Sequence, residues 1–185
     1  MSAMRVALGD DSALFREGLR RLLEGEGIEV TAWAANPDEI CRAVASVVPD
    51  VVVLDVRMPP TFTDEGIRTA GRLRSEHAGL PVLVLSTYAE TSFAVRLLEL
   101  GSRGLGYLLK DRVGSVDVLI DALTRLVAGE SVVDPEIIGR LLAHQRARSV
   151  IDRLTSRELE VLRLMAEGHS NAGIGRRLYL VSRER

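Results

Sequence analysis

The first 128 residues alternate short apolar runs with longer one-sided ones. Residues 5–8 form an apolar run cut off by Gly9-Asp10-Asp11, which predicts a short strand. Ser12 stands where a helix cap belongs, and Leu14, Leu19, Leu22 and Leu23 share one side of a helix to about Glu26. Residues 28–34 are β-rich, and Asn36-Pro37 opens a second helix to about Val47, since proline fits a first helical turn. After Pro49-Asp50, Val51-Val52-Val53-Leu54 is continuously apolar, the pattern of a strand buried on both faces, and it ends at Asp55. A loop over 58–63, stiffened by Pro59-Pro60, leads to a helix from about Asp64 to Glu76, where Gly66 permits close approach. Residues 82–85 are the next strand, ending at Ser86-Thr87, followed by a helix over about 90–100. Residues 105–109 are the fifth strand, ending at Lys110, and a helix follows over about 113–128. Five such strand–helix units predict a doubly wound, five-stranded parallel sheet of the flavodoxin-like kind.

After Gly129 the pattern reads as wholly helical. Asp134-Pro135 opens a helix to about Arg148, whose basic end suits a helix C-terminus and whose plain reading is a solvated linker. Thr155-Ser156-Arg157-Glu158 is a capping box, followed by Leu159, Leu162 and Met165 at helical spacing. Gly168-His169 is a turn, and Ser170 caps a second short helix over 171–178. The expected organisation is therefore 4–128, a helical linker over 129–150, and a small helical module over 151–185.

Composition narrows this picture. With 46% hydrophobic and 27% charged residues the chain is globular, not disordered. Net charge is −2, which argues against binding a polyanion by charge alone. It divides unevenly, −4 over residues 1–149 (17 basic, 21 acidic) and +2 over 150–185 (7 basic, 5 acidic), consistent with two modules. A single cysteine, Cys41, excludes an internal disulfide, and the three histidines show no ligand spacing. No apolar run reaches the ~18 residues of a membrane span, so a protein of the cytoplasm is expected. Of 24 basic residues, 23 are arginine; the one lysine is Lys110.

In an open parallel sheet, ligands bind at the carboxyl ends of the strands. That edge carries Asp10, Asp11, Asp55, Ser86 and Lys110, from four separate strands. Singly, each has a plainer reading: a helix cap, a strand-end turn, a surface lysine. Together, three carboxylates in one crevice repel unless a hard cation neutralises them, and oxygen-only donors favour Mg²⁺. A hydroxyl and an ammonium nearby suit a phosphoryl group, with a carboxylate as the possible nucleophile.

The segments Leu8-Gly9-Asp10-Asp11-Ser12, Val53-Leu54-Asp55-Val56-Arg57-Met58-Pro59, Val84-Leu85-Ser86-Thr87 and Gly106-Tyr107-Leu108-Leu109-Lys110 resemble the receiver domain of two-component response regulators. The resemblance implies that Asp55 is the phosphoacceptor for a sensor histidine kinase. It implies that Asp11, Asp55 and the backbone carbonyl of Arg57 bind Mg²⁺, and that Asp10 orients a metal-bound water. Ser86 and Lys110 would contact the phosphoryl oxygens. Tyr107, otherwise a half-buried strand aromatic, would turn inward and remodel the 90–128 face for homodimerisation. Such a protein is not an enzyme beyond slow self-dephosphorylation.

Residues 154–162 and Met165-Ala166-Glu167-Gly168-His169-Ser170-Asn171 resemble the start of the LuxR-type (NarL/FixJ) helix-turn-helix. In that module a further helix enters the major groove of DNA. Residues 179–185 make under two turns at about 1.5 Å rise per residue, too few for a recognition helix. The expectation is a module incomplete in this chain. DNA would be a partner of the full-length form, with specific binding weak or absent here, and Arg176, Arg177, Arg183 and Arg185 left as solvated surface. Two other readings stay open: a receiver acting only through protein contacts, and an aspartyl-nucleophile phosphatase. The adjacent pair Asp10-Asp11 departs from the Asp-x-Asp of the latter. A flavin- or nucleotide-binding domain is disfavoured, since no glycine-rich loop follows the first strand.

Overall fold

A computed structural model describes residues 3–101, 103–151, 155–166 and 177–178. The chain divides into two compact units, Met1–Gly139 and Arg140–Arg185. The first unit contains strands β1 (Arg5–Gly9), β2 (Glu29–Ala34), β3 (Val51–Asp55), β4 (Val82–Ser86) and β5 (Leu105–Leu109). Between and after them run α1 (Ala13–Gly25), α2 (Pro37–Ser46), α3 (Glu65–Glu76), α4 (Thr91–Glu99) and α5 (Val116–Val127), the last preceded by a 3₁₀ turn over Arg112–Gly114.

The five expected strands form, all parallel, and a sixth joins them. The sheet order is β2-β1-β3-β4-β5-β6, where β6 is only Val132–Val133. The stretch after Gly129 is thus not wholly helical as the sequence pattern suggested. Two residues are too few to show an alternating pattern, and β6 exists because Gly106 and Tyr107 of β5 offer it a partner edge. The helix α6 (Pro135–Ile151) follows directly.

The β-branched run of β3 is buried on both faces, as its pattern requires. Val51 and Val53 pack with Val6, Leu8, Leu83 and Leu85 beneath Leu19 and Leu23 of α1 and Leu119, Leu123 and Leu126 of α5. The other face of the sheet is covered by α2, α3 and α4, whose Ile40, Val44, Ile67, Leu73 and Leu97 are almost wholly buried. Ser12 caps α1 through Phe15 N–H, and Asn36 caps α2 with Pro37 in its first turn. Cys41 is a buried free thiol.

In the second unit, α7 (Ser156–Ala166) begins with the expected capping box. Thr155 N–H donates to the Glu158 carboxylate at 2.8 Å, and Glu158 N–H donates to Thr155 Oγ1 at 3.3 Å. Arg157 donates to the carbonyl of Leu178 at 2.9 Å. The turn at Gly168-His169, the Ser170 cap, most of the 171–178 helix, and Arg176, Arg183 and Arg185 lie outside the described residues; Arg177 is exposed.

Candidate phosphoacceptor site

The strand ends converge as the topology demands. Asp10 follows β1, Asp55 ends β3, Ser86 ends β4 and Lys110 follows β5. The Lys110 ammonium donates to Asp10 at 2.7 Å and lies 3.0 Å from Asp55. Both carboxylates are buried, and the Phe15 ring centroid sits 4.5 Å from the ammonium. Asp10 also accepts from Ser12 N–H at 2.8 Å, so it braces the turn into α1 while facing the crevice. The exposed Asp11 completes the set: ligand oxygens of Asp10, Asp11 and Asp55 all lie within 4.8 Å of one another.

Electrostatics follow from this burial. Desolvation pushes the Asp55 carboxyl above the ordinary carboxylate range; Lys110 offsets part of this and Asp10 adds to it. Burial alone would lower the Lys110 ammonium, but its hydrogen bond to Asp10 and the charges of Asp10 and Asp55 outweigh that and hold it protonated above its usual range. With the carboxylates ionised, three negative charges and one positive leave the crevice at −2. A divalent, oxygen-seeking cation suits that residue of charge.

Ser86 does not face the crevice freely. Its hydroxyl donates to the carbonyl of Tyr88 at 2.8 Å and accepts from Tyr88 N–H at 3.2 Å. The exposed Arg57 side chain pairs with Glu90 and lies over the Tyr88 ring, 5.7 Å from its centroid, tying the loop after β3 to the loop after β4. Tyr107 is 1% exposed, so its ring is already inside and not half-buried. The reason is β6: with Val84 on one side and Val133 on the other, Tyr107 sits in a flanked strand and not on an edge. Among the described residues its buried hydroxyl finds no hydrogen-bond partner. Burial pushes the phenol up, and Ser86 and the Glu90 backbone lie near enough to offset only part of this.

Glu65 is a residue that sequence reasoning missed. It is 4% exposed at the start of α3 and accepts from Thr61 N–H at 3.2 Å, from Thr63 N–H at 2.8 Å and from the Thr61 hydroxyl. It thereby shapes the loop leaving Asp55. The signal available was a glutamate closely following two threonines in a loop. A larger open cleft, about 630 Å³, lies between α2 and the 59–61 loop, lined in part by Cys41, Pro60 and Arg72. It contains none of the strand-end residues, and a phosphoryl group needs no cavity of that size.

The comparisons with known proteins agree with this geometry. Residues 6–123 match the response regulator receiver domain, and residues 152–183 match the bacterial regulatory proteins of the luxR family. The chain is a response regulator of the LuxR (NarL) type. It is 30% identical to the transcriptional regulatory protein DegU of Brevibacillus brevis, over 96% of this chain and 80% of the relative. This response regulator also resembles the crystal structure of a LuxR-family two-component response regulator from Aurantimonas, with TM-score 0.66, 28% identity, and coverage of 79% of this chain and 99% of that one. A solved structure of two RcsB dimers bound to two parallel DNAs matches with TM-score 0.65 and 27% identity, covering 96% of this chain and 84% of the other. Response regulators of this type are transcriptional regulators, in keeping with the doubly wound fold and its helical tail. No helix among the described residues is long and apolar enough to cross a membrane.

Proposed function

We propose that this response regulator accepts a phosphoryl group on Asp55 from a partner histidine kinase, with Mg²⁺ held by Asp11, Asp55 and the Arg57 carbonyl. Asp10 would orient a bound water. The observation that carries the reading is the placement of Asp55, buried at the end of β3, 3.0 Å from the only lysine and beside two further carboxylates. When bound, Mg²⁺ screens repulsion between carboxylate and phosphoryl oxygens. An Asp55 oxygen forms the bond to phosphorus as the phosphohistidine P–N bond breaks, and the imidazole leaves. Lys110, shared until then by two carboxylates, turns its charge to a phosphoryl oxygen. Ser86 leaves the Tyr88 carbonyl to donate to another. Later attack by water returns the aspartate, the only turnover expected.

Loss of the Ser86–Tyr88 bond frees the loop into α4 and alters the face of α4, β5 and α5. Val95, Leu98, Val118 and Val127 are exposed on those helices, apolar surface suited to a second copy of the chain. DNA is the output partner that we carry over from the RcsB complex, and a cytoplasmic location follows from that pairing. The test is exposure to acetyl phosphate with Mg²⁺, read by intact mass. One phosphoryl addition, lost in Asp55→Asn, supports the assignment; unchanged labelling of that variant refutes it. Sustained turnover of a generic phosphomonoester would instead favour a phosphatase.

A further inference from the structure

Asp134 is fully buried, yet no step of the phosphoryl transfer uses it. Its peptide N–H donates to the carbonyl of Tyr107 at 2.8 Å. One carboxylate oxygen accepts from Glu136 N–H at 2.9 Å, holding the first turn of α6. The other accepts from Arg112 Nε at 3.2 Å and from Leu109 N–H at 3.5 Å. A single side chain thus grips the start of α6 with one oxygen and the end of β5 with the other. Leu109 immediately precedes Lys110, and β6 adds a second tie through the Gly106–Val132 and Tyr107–Val133 pairs. The buried Leu109 N–H resists losing its acceptor, so the end of β5 cannot shift without moving Asp134 or stranding that donor.

We propose that Asp134 is the joint that passes the state of the phosphoacceptor crevice from the end of β5 to the start of α6. The proposal rests on the phosphoacceptor reading above. α6 begins at Pro135, directly after Asp134, so a change at the end of β5 reaches its first turn through this one side chain. Coupling of this kind is reciprocal: what alters the hold on α6 must also alter the end of β5.

Asp134→Asn separates coupling from capping. An asparagine keeps one oxygen for Glu136 N–H but turns an NH₂ toward Arg112 and Leu109, which are themselves donors. The full chain is treated with acetyl phosphate and Mg²⁺, phosphoryl uptake is read by intact mass, and amide exchange is read over residues 105–140. In the wild type, phosphorylation is expected to change exchange in β6 and the first turn of α6. In Asp134→Asn, equally labelled, that response is expected to fall at least threefold while resting protection of the first turn stays. Arg112→Gln, which weakens the β5 side without touching the cap, is expected to show a partial loss and stands in should the first variant fail to fold. A full response in either variant, or a labelled wild type with no change at α6, overturns the joint. Absence of labelling refutes the phosphoacceptor reading instead. The reciprocal arm then decides: without any donor, Asp134→Asn or Arg112→Gln should speed exchange of the Leu109 and Lys110 amides at least tenfold, and unchanged rates overturn the proposal.

Discussion

A Cβ placed on Gly66 would lie 1.9 Å from the carbonyl oxygen of Asp55. The neighbour is backbone, and it is further fixed because Gly66 N–H donates to the carbonyl of Val56 at 2.8 Å. The first turn of α3 can therefore approach the end of β3 only without a side chain there. Gly66→Ala is expected to lower stability by about 1–3 kcal/mol and to slow phosphoryl uptake on Asp55. Gly71→Ala, in the same helix and with only the Leu100 side chain in reach among the described residues, is the control. Chemical denaturation and intact-mass labelling check both, and equal effects would rule out the backbone clash.

Lys110→Met removes the ammonium from between Asp10 and Asp55. The buried carboxylates lose their shared donor, and stability at neutral pH should fall by about 1–3 kcal/mol. Added Mg²⁺ should then raise the melting temperature of the variant more than that of the wild type, because the cation meets a less neutralised crevice. Absence of any Mg²⁺ response in both proteins would show that the carboxylates do not hold the ion.

Glu65 gives a pH signature. Its burial would raise the carboxyl, but the Thr61 hydroxyl and the Thr61 and Thr63 peptide N–H groups outweigh that and hold it below its ordinary 4.5. A carboxyl depressed in the folded state contributes stability that is present above the unfolded value and lost as pH falls through the folded one. The stability gap between wild type and Glu65→Gln should be roughly 1–3 kcal/mol at neutral pH and should close below about pH 4.5. Urea titrations at a series of pH values measure it; a gap independent of pH would discount the carboxylate.

Tyr107→Phe removes a buried hydroxyl that has no hydrogen-bond partner among the described residues. Deleting an unsatisfied polar group should leave stability unchanged or raise it by up to about 1 kcal/mol. A loss above that, in the same denaturation assay, would mean that the hydroxyl holds a bond in solution.

Much of the site was legible in the chain because each strand that carries a site residue is a short apolar run closed by polar residues. Val51-Val52-Val53-Leu54 points to Asp55, and the next strand points to Ser86 in the same way. What escaped were relationships set by side-chain geometry. The turn of the Ser86 hydroxyl toward Tyr88 is a choice of rotamer that no spacing encodes. Asp134 reads as an ordinary helix start before Pro135, and only the pairing of β6 with β5 reveals that it is buried against the end of β5. Glu65 likewise looks like first-turn acidity on a helix until the loop folds back over it.

The arginine-for-lysine bias has a practical consequence. Apart from its α-amine, this chain offers an amine-selective reagent one target, and that target sits between Asp10 and Asp55. Guanidinium groups are silent to such reagents at neutral pH. Whatever enters the crevice and draws the Lys110 ammonium toward it will change the rate at which that single ε-amine is modified. The unaltered protein thus carries its own chemical gauge of site occupancy, read by mass with one amine-selective reagent and no substitution.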